Sequence, residues 1–196
     1  MRCTLSALLV AALCSPARAD EGKKDPSKSN LPLRLKLINK GESYKAPEGL
    51  KKQLDDAKTS KRYPPALAVN LVLEITNTST KDVQFWFKGD PVMVGLDLKG
   101  PGAVSVAPPL AVTANFVIPQ PMTLAAGKTY KIPVTKLQYG FRGFSQLAYW
   151  TEPGEYTLTA SYNTAIKPAP EGTKADPDGF ARVSLKSEPV KIKVEK

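Results

Sequence analysis

One stretch decides the fold: residues 153–163, which read PGEYTLTASYN. After the Pro-Gly turn, Tyr, Leu, Ala and Tyr alternate with Thr, Thr, Ser and Asn, so one face of the segment is apolar and the other is polar. This period of two predicts a β-strand that packs one face on a core and turns the other toward water.

The same alternation recurs along most of the chain. It appears in residues 67–76, 83–88 and 92–98, and again in residues 130–134 and 190–194, with turn-forming Gly, Pro, Asn and Ser between the runs. Short antiparallel strands with one polar face are typical of two packed sheets. We therefore predict an all-β protein, an antiparallel β-sandwich of seven to nine strands.

Only one segment has helical periodicity. In residues 47–58, PEGLKKQLDDAK, the apolar Leu50, Leu54 and Ala57 recur at i, i+4 and i+7, which predicts a short helix with a narrow apolar stripe. Residues 31–37 alternate apolar and basic side chains, as expected of an edge strand. We assign residues 31–65 to an N-terminal strand-helix extension and residues 66–196 to the sandwich.

The first nineteen residues have the features of an export signal. Arg2 precedes an apolar run at residues 5–13 that is too short to span a bilayer, and Ala17-Arg18-Ala19 suits signal peptidase. We predict cleavage after Ala19, a disordered leader at residues 20–30, and a periplasmic or secreted product. The alternative is a lipid anchor on Cys14, although Leu13 is larger than the residue that usually precedes a lipidated cysteine.

The residue inventory excludes much chemistry. Both cysteines, Cys3 and Cys14, lie in the predicted signal, and the chain has no histidine. Thiolate nucleophiles, histidine bases and most zinc or copper sites are thereby removed. We predict no catalytic residues, no metal site, no cofactor and no enzyme activity.

The net charge and the predicted export of the protein together limit the classes of partner. Without residues 1–19 the chain keeps 28 − 2 = 26 Lys and Arg against 18 Asp and Glu, a net charge of +8. The positive charge of an exported protein favours another protein or an anionic envelope polymer as the partner. The predicted location outside the cytoplasm argues against nucleic acid. No transmembrane segment is predicted beyond the signal.

Aromatic side chains crowd one segment outside the alternating pattern, residues 137–150, LQYGFRGFSQLAYW. On an exposed loop, aromatic and arginine side chains would be the anchors that interfaces prefer. Alternatively, the aromatic rings fold back and close the open end of the sandwich. The candidate binding residues are Tyr139, Phe141, Arg142, Phe144, Tyr149 and Trp150.

Three segments carry a family resemblance. Residues 71–79 (LVLEITNTS), 124–130 (LAAGKTY) and 153–160 (PGEYTLTA) resemble exported bacterial immunoglobulin-like sandwich domains. The resemblance implies a tyrosine corner at Tyr156. Leu158 occupies the position that is cysteine in antibody domains, so apolar packing is expected in place of the disulfide.

The same layout over residues 66–163 is similar to a bacterial family of sandwich-fold proteinase inhibitors of the intracellular proteinase inhibitor type. That resemblance implies a regulator of a proteinase, although no inhibitory loop matches residue by residue. We predict an exported, non-enzymatic binding or accessory module of the cell envelope; the alternative is a proteinase-inhibitor-like regulatory sandwich protein.

Overall fold

A computed structural model describes residues 31–108, 116–141 and 144–196, with the backbone alone for Phe141 and Phe144. The predicted signal peptide (1–19), the predicted leader (20–30) and Arg142 lie outside these residues. No helix in the described ranges is long and apolar enough to cross a membrane.

The described part of the chain forms thirteen strands and one helix. They are β1 (Leu33–Asn39), β2 (Tyr44–Lys45), α1 (Leu50–Ser60), β3 (Ala68–Asn77), β4 (Val83–Lys88), β5 (Met93–Lys99), β6 (Ala103–Val106), β7 (Gln120–Leu124), β8 (Thr129–Lys136), β9 (Gln138–Phe141), β10 (Phe144–Trp150), β11 (Gly154–Lys167), β12 (Ala181–Lys186) and β13 (Val190–Glu195). The sandwich prediction is confirmed, with more strands than the seven to nine expected. Several strands between residues 101 and 150 are short and carry little alternation.

The first sheet has the order β1-β3-β8 and is antiparallel throughout. In β3, Leu71, Leu73 and Ile75 are buried, while the residues between them are half-buried on the outer face. β1 buries every second residue from Leu33 to Leu37, which confirms an edge strand with one apolar face. The strand that we assigned to an N-terminal extension is thus the edge of this sheet, paired with β3 along its whole length.

The large sheet is organised around β11, which includes residues 154–163 of the alternating Tyr-Leu-Ala-Tyr stretch. β5 and β4 pair with one edge of this 14-residue strand, and β13 and β12 pair with the other. β7 continues the sheet beyond β4, and β2 continues it beyond β13. The main core lies between this sheet and the first, because the inward rows of both are buried in one cluster.

A third, small sheet of order β6-β10-β9 lies beside β5. Both faces of β10 are covered: Ala148 and Trp150 belong to the main core, whereas Leu147 and Tyr149 pack under α1 against Leu54. The helix buries the three residues expected, Leu50, Leu54 and Ala57. It begins at Leu50 rather than Pro47, since Gly49 just before it has a φ of 68° that is outside the helical region.

The tyrosine corner implied by the resemblance is present. The Tyr156 hydroxyl donates to the carbonyl of Glu152 at 2.7 Å, four residues upstream, and also lies close to the carbonyl of Pro101. Leu158 is fully buried in the core. Apolar packing therefore joins the sheets where antibody domains have a disulfide.

Candidate functional site

The segment predicted as an aromatic loop is a β-hairpin, β9 and β10. Its two last aromatic residues are structural: Tyr149 is 0% exposed and donates to the Pro64 carbonyl at 2.6 Å, and Trp150 is 1% exposed and donates to the Lys45 carbonyl at 3.0 Å. The exposed alternative therefore fails for Tyr149 and Trp150. Both rings fill the two sides of β10, because a strand between a core and a helix needs apolar groups on each face.

Burial also changes the acidity of the Tyr149 phenol. Loss of hydration raises the pKa of Tyr149 to about 12, and the nearby Tyr63 adds to the shift. The neutral hydroxyl is the form that donates to Pro64. This tyrosine is therefore a hydrogen-bond donor inside the fold.

The remaining candidates lie on β9 and at its turn. Tyr139 is half-buried, and its hydroxyl is 3.1 Å from the Ser105 hydroxyl. Phe141 and Phe144 are paired in backbone register at the end of the hairpin. Their side chains and Arg142 lie outside the described part, so a binding role for these three stays a prediction.

Tyr139 lines a cleft of about 710 Å³ between the hairpin and the large sheet. The floor is formed by β5 and β11, and one wall is formed by β9 and β10, with β12 at the far rim. The lining residues are Met93, Gly95, Leu96, Asp97, Tyr139, Gly140, Gln146, Thr159, Ala160, Ser161 and Lys186. The cleft is lined by strands that are distant in sequence. We take this cleft as the candidate site.

A glycine in mid-strand opens the floor. Gly95 faces Ser161 across the β5–β11 ladder, and a Cβ added at Gly95 would lie 2.4 Å from the Ser161 hydroxyl oxygen. A side chain at position 95 would therefore push Ser161 aside and occupy the cleft. A glycine inside a strand often marks the close approach of another group, and this was the signal in the sequence that could have located the floor.

The cleft suits binding better than catalysis. It is mainly apolar, and its single carboxylate, Asp97, forms a 3.3 Å ion pair with exposed Lys99. Hydroxyls of Thr159 and Ser161 and the amide of Gln146 supply neutral hydrogen-bonding groups. An apolar cleft with a few polar groups is the usual form of a binding site. Within the described ranges, no three acidic, cysteine or histidine side chains come together as metal ligands.

Comparisons with known proteins do not identify a family for this chain. No family model and no curated protein matches the chain. Among solved structures, the chain is similar to the ASH/PapD-like domain of human CEP192 (PapD-like domain 7), with 13% identity, a TM-score of 0.25, and coverage of 97% of this chain and 99% of that one. The immunoglobulin-like assignment rests on this chain's own sheets and tyrosine corner. The inhibitor resemblance stays a prediction.

Proposed function

We propose that this chain is an exported, non-enzymatic binding module of the cell envelope, and that it holds a partner in the cleft between β5 and the β9–β10 hairpin. The cleft is the observation that carries the proposal. It combines a volume of about 710 Å³ with a mainly apolar lining, a few neutral polar groups and the charged side chains of Asp97 and Lys186.

The contacts around the cleft support a preformed site. Its wall is a hairpin whose second strand is fixed on both faces, by the core and by α1. Its floor includes β11, which is paired on one edge with β5 and on the other with β12. A ligand would meet a rigid surface, which lowers the entropic cost of binding.

A photoreactive amino acid placed in the cleft tests the proposal directly. We would insert it at Gln146, which is exposed and lines the cleft, and irradiate the cells that produce the full chain. The control carries it at Lys36, an exposed position on the outer face of the first sheet. We expect a defined adduct from position 146 and none of that mass from position 36.

Filling the cleft should abolish that adduct. Gly95→Val puts a branched side chain on the floor, and Ser161→Ala is added to remove the hydroxyl that the new Cβ would meet. Ser161→Ala alone is the matched control, because it leaves the cleft open. Equal adduct yields from the filled and open variants, or the same adduct from position 36, would contradict a site in the cleft.

A further inference from the structure

Two hydrogen-bond donors lie side by side at the β12 rim of the cleft. Ser161 of β11 lies directly opposite Lys186 of β12, and both residues line the cleft. Opposite residues of an antiparallel pair have Cβ atoms about 4.5–5.5 Å apart on the same face of the sheet. The ammonium of Lys186 and the hydroxyl of Ser161 can therefore reach the same group of a ligand.

Both donors lack an acceptor in the described part of the chain. Lys186 forms no ion pair, and the Ser161 hydroxyl forms no hydrogen bond, with any residue that the structure describes. Lys186 is also the one cation among the described residues that line the cleft. An ammonium and a hydroxyl together suit a charged acceptor, because hydrogen bonds to an ionised oxygen are roughly twice as strong as neutral ones.

The carboxylate that lines the cleft does not neutralise Lys186. Asp97 lies on β5, and β11 separates β5 from β12, so the backbones that carry Asp97 and Lys186 are about 9–10 Å apart. Salt weakens the interaction of exposed charges at such a separation. Asp97 instead forms a 3.3 Å ion pair with Lys99, which does not line the cleft. The positive charge of Lys186 is therefore available to a ligand.

The floor next to these two donors is apolar. Gly95 lies opposite Ser161 on the other side of β11 and has no side chain to fill the cleft. Met93 adds a thioether to the floor, and the ring of Tyr139 adds to the wall. Across β12, β11 and β5 the surface therefore changes from cationic to apolar.

We propose that the cleft binds a small amphiphile that has an apolar body and one anionic head group, a carboxylate or a phosphate. The head group contacts Lys186 and Ser161, and the apolar body lies over Gly95 and against Tyr139. The cleft volume of about 710 Å³ falls within the roughly 300–1,000 Å³ of small-molecule sites. This inference rests on the proposed function and specifies the class of ligand.

Two dyes that differ in charge test the head-group contact. Anilinonaphthalene sulfonate is anionic, phenylnaphthylamine has the same apolar body without the anionic group, and both become fluorescent in apolar surroundings. We would titrate each dye into the full chain and its variants. Lys186→Met removes the charge and keeps an apolar stem, so it should weaken binding of the anionic dye about threefold to fivefold and leave the neutral dye within about 1.5-fold. Failure of both dyes to bind the unchanged chain would overturn the inference.

Two further variants serve as controls for charge. Lys186→Arg keeps the positive charge and should bind the anionic dye within about twofold of the unchanged chain. Arg182→Met removes one positive charge from the same strand but outside the cleft, and should leave both dyes within about 1.5-fold. Equal losses for the two dyes in Lys186→Met, or equal losses in Lys186→Met and Arg182→Met, would overturn the head-group contact.

Filling the floor tests where the apolar body lies. Gly95→Val with Ser161→Ala should abolish binding of both dyes, because the valine occupies the space of the body that they share. Ser161→Ala alone should still bind the neutral dye. Equal binding of the neutral dye by these two variants would place the apolar body outside the cleft and overturn the inference.

Competition against the anionic dye distinguishes the two head groups. Decanoate and decyl phosphate should each displace the dye, and the tighter competitor identifies the head group. Decanol has the same alkyl chain without the charge, and should displace the dye at least about threefold more weakly. Equal displacement by decanol would overturn the anionic head group.

The cross-link at position 146 separates this inference from the proposed function. An adduct of small-molecule mass supports an amphiphile. An adduct with the mass of a protein or a polymer would keep the cleft as the binding site and overturn the amphiphile. The same adduct from position 36 would contradict the proposed function itself.

Discussion

At the scale of single residues, the Tyr156 hydroxyl is the polar contact that fixes the corner between sheets. Tyr156→Phe keeps the ring but leaves the carbonyls of Glu152 and Pro101 without that donor. We expect a loss of roughly 1–2 kcal/mol in the free energy of unfolding, measured by urea denaturation. Tyr63→Phe is the control, because its hydroxyl forms no hydrogen bond with any residue that the structure describes. A change of that size in both variants would contradict the role of the corner.

Tyr149 gives a prediction about pH at the same scale. Its pKa is about 12 in the fold, against about 10 in an unfolded chain, because burial disfavours the phenolate. Between those values the unfolded state has bound fewer protons, so the free energy of unfolding should fall as pH rises from 10 to 12 and be unaffected by this group below pH 10. Tyr149→Phe should make the decline shallower. Parallel declines in the two proteins would contradict it.

At the scale of elements, the contact between α1 and β10 stabilises the small sheet that walls the cleft. Leu54→Ala leaves a cavity beside Leu147 and Tyr149, and we expect a loss of roughly 2–4 kcal/mol in the free energy of unfolding. Gln53→Ala, on the exposed side of the same helix, should change it by less than about 0.5 kcal/mol. Hydrogen exchange should also quicken in β10 of the Leu54 variant alone. Equal exchange in both variants would show that the helix is dispensable.

The element scale also explains what the sequence could and could not predict. β11 and β3 have one buried face and one outward face, so their alternation is visible and their strands were predicted. β10 is buried on both faces at Leu147, Ala148, Tyr149 and Trp150, which erases the period of two and made a strand resemble an aromatic loop. The main core covers one face of β10 and α1 covers the other, which explains why both faces are apolar.

At the scale of the whole molecule, the cleft is lined by residues between positions 93 and 186. No local sequence pattern predicts that these residues lie close together. Tyr139 was among the predicted residues because aromatic side chains are enriched in interfaces. Met93, Ser161 and Lys186 were missed because each looks like an ordinary strand residue. Sequence periodicity predicts which face of a strand is buried, whereas a cleft depends on how separate sheets are arranged.

Export is the prediction that belongs to the whole chain. We expect the mature protein from its own cells to begin at Asp20. Intact-mass measurement and N-terminal sequencing of the envelope and culture fractions would check this. A chain that begins at a lipid-modified Cys14 would favour the anchored alternative, and an uncleaved chain would contradict export through this signal.

The pairing of β13 with β2 and β11 has a consequence for the rate of folding. β13 pairs with the first part of β11, from Gly154 to Leu158, and, through Val194 and Glu195, with β2, so the large sheet lacks the strand between β2 and β11 until residues 190–195 pair. Strands as far apart in sequence as β2 and β13 pair slowly, because a long loop has to close before they meet. The large sheet therefore closes late in folding, and until then the chain stays more open than one that is built from local pairings.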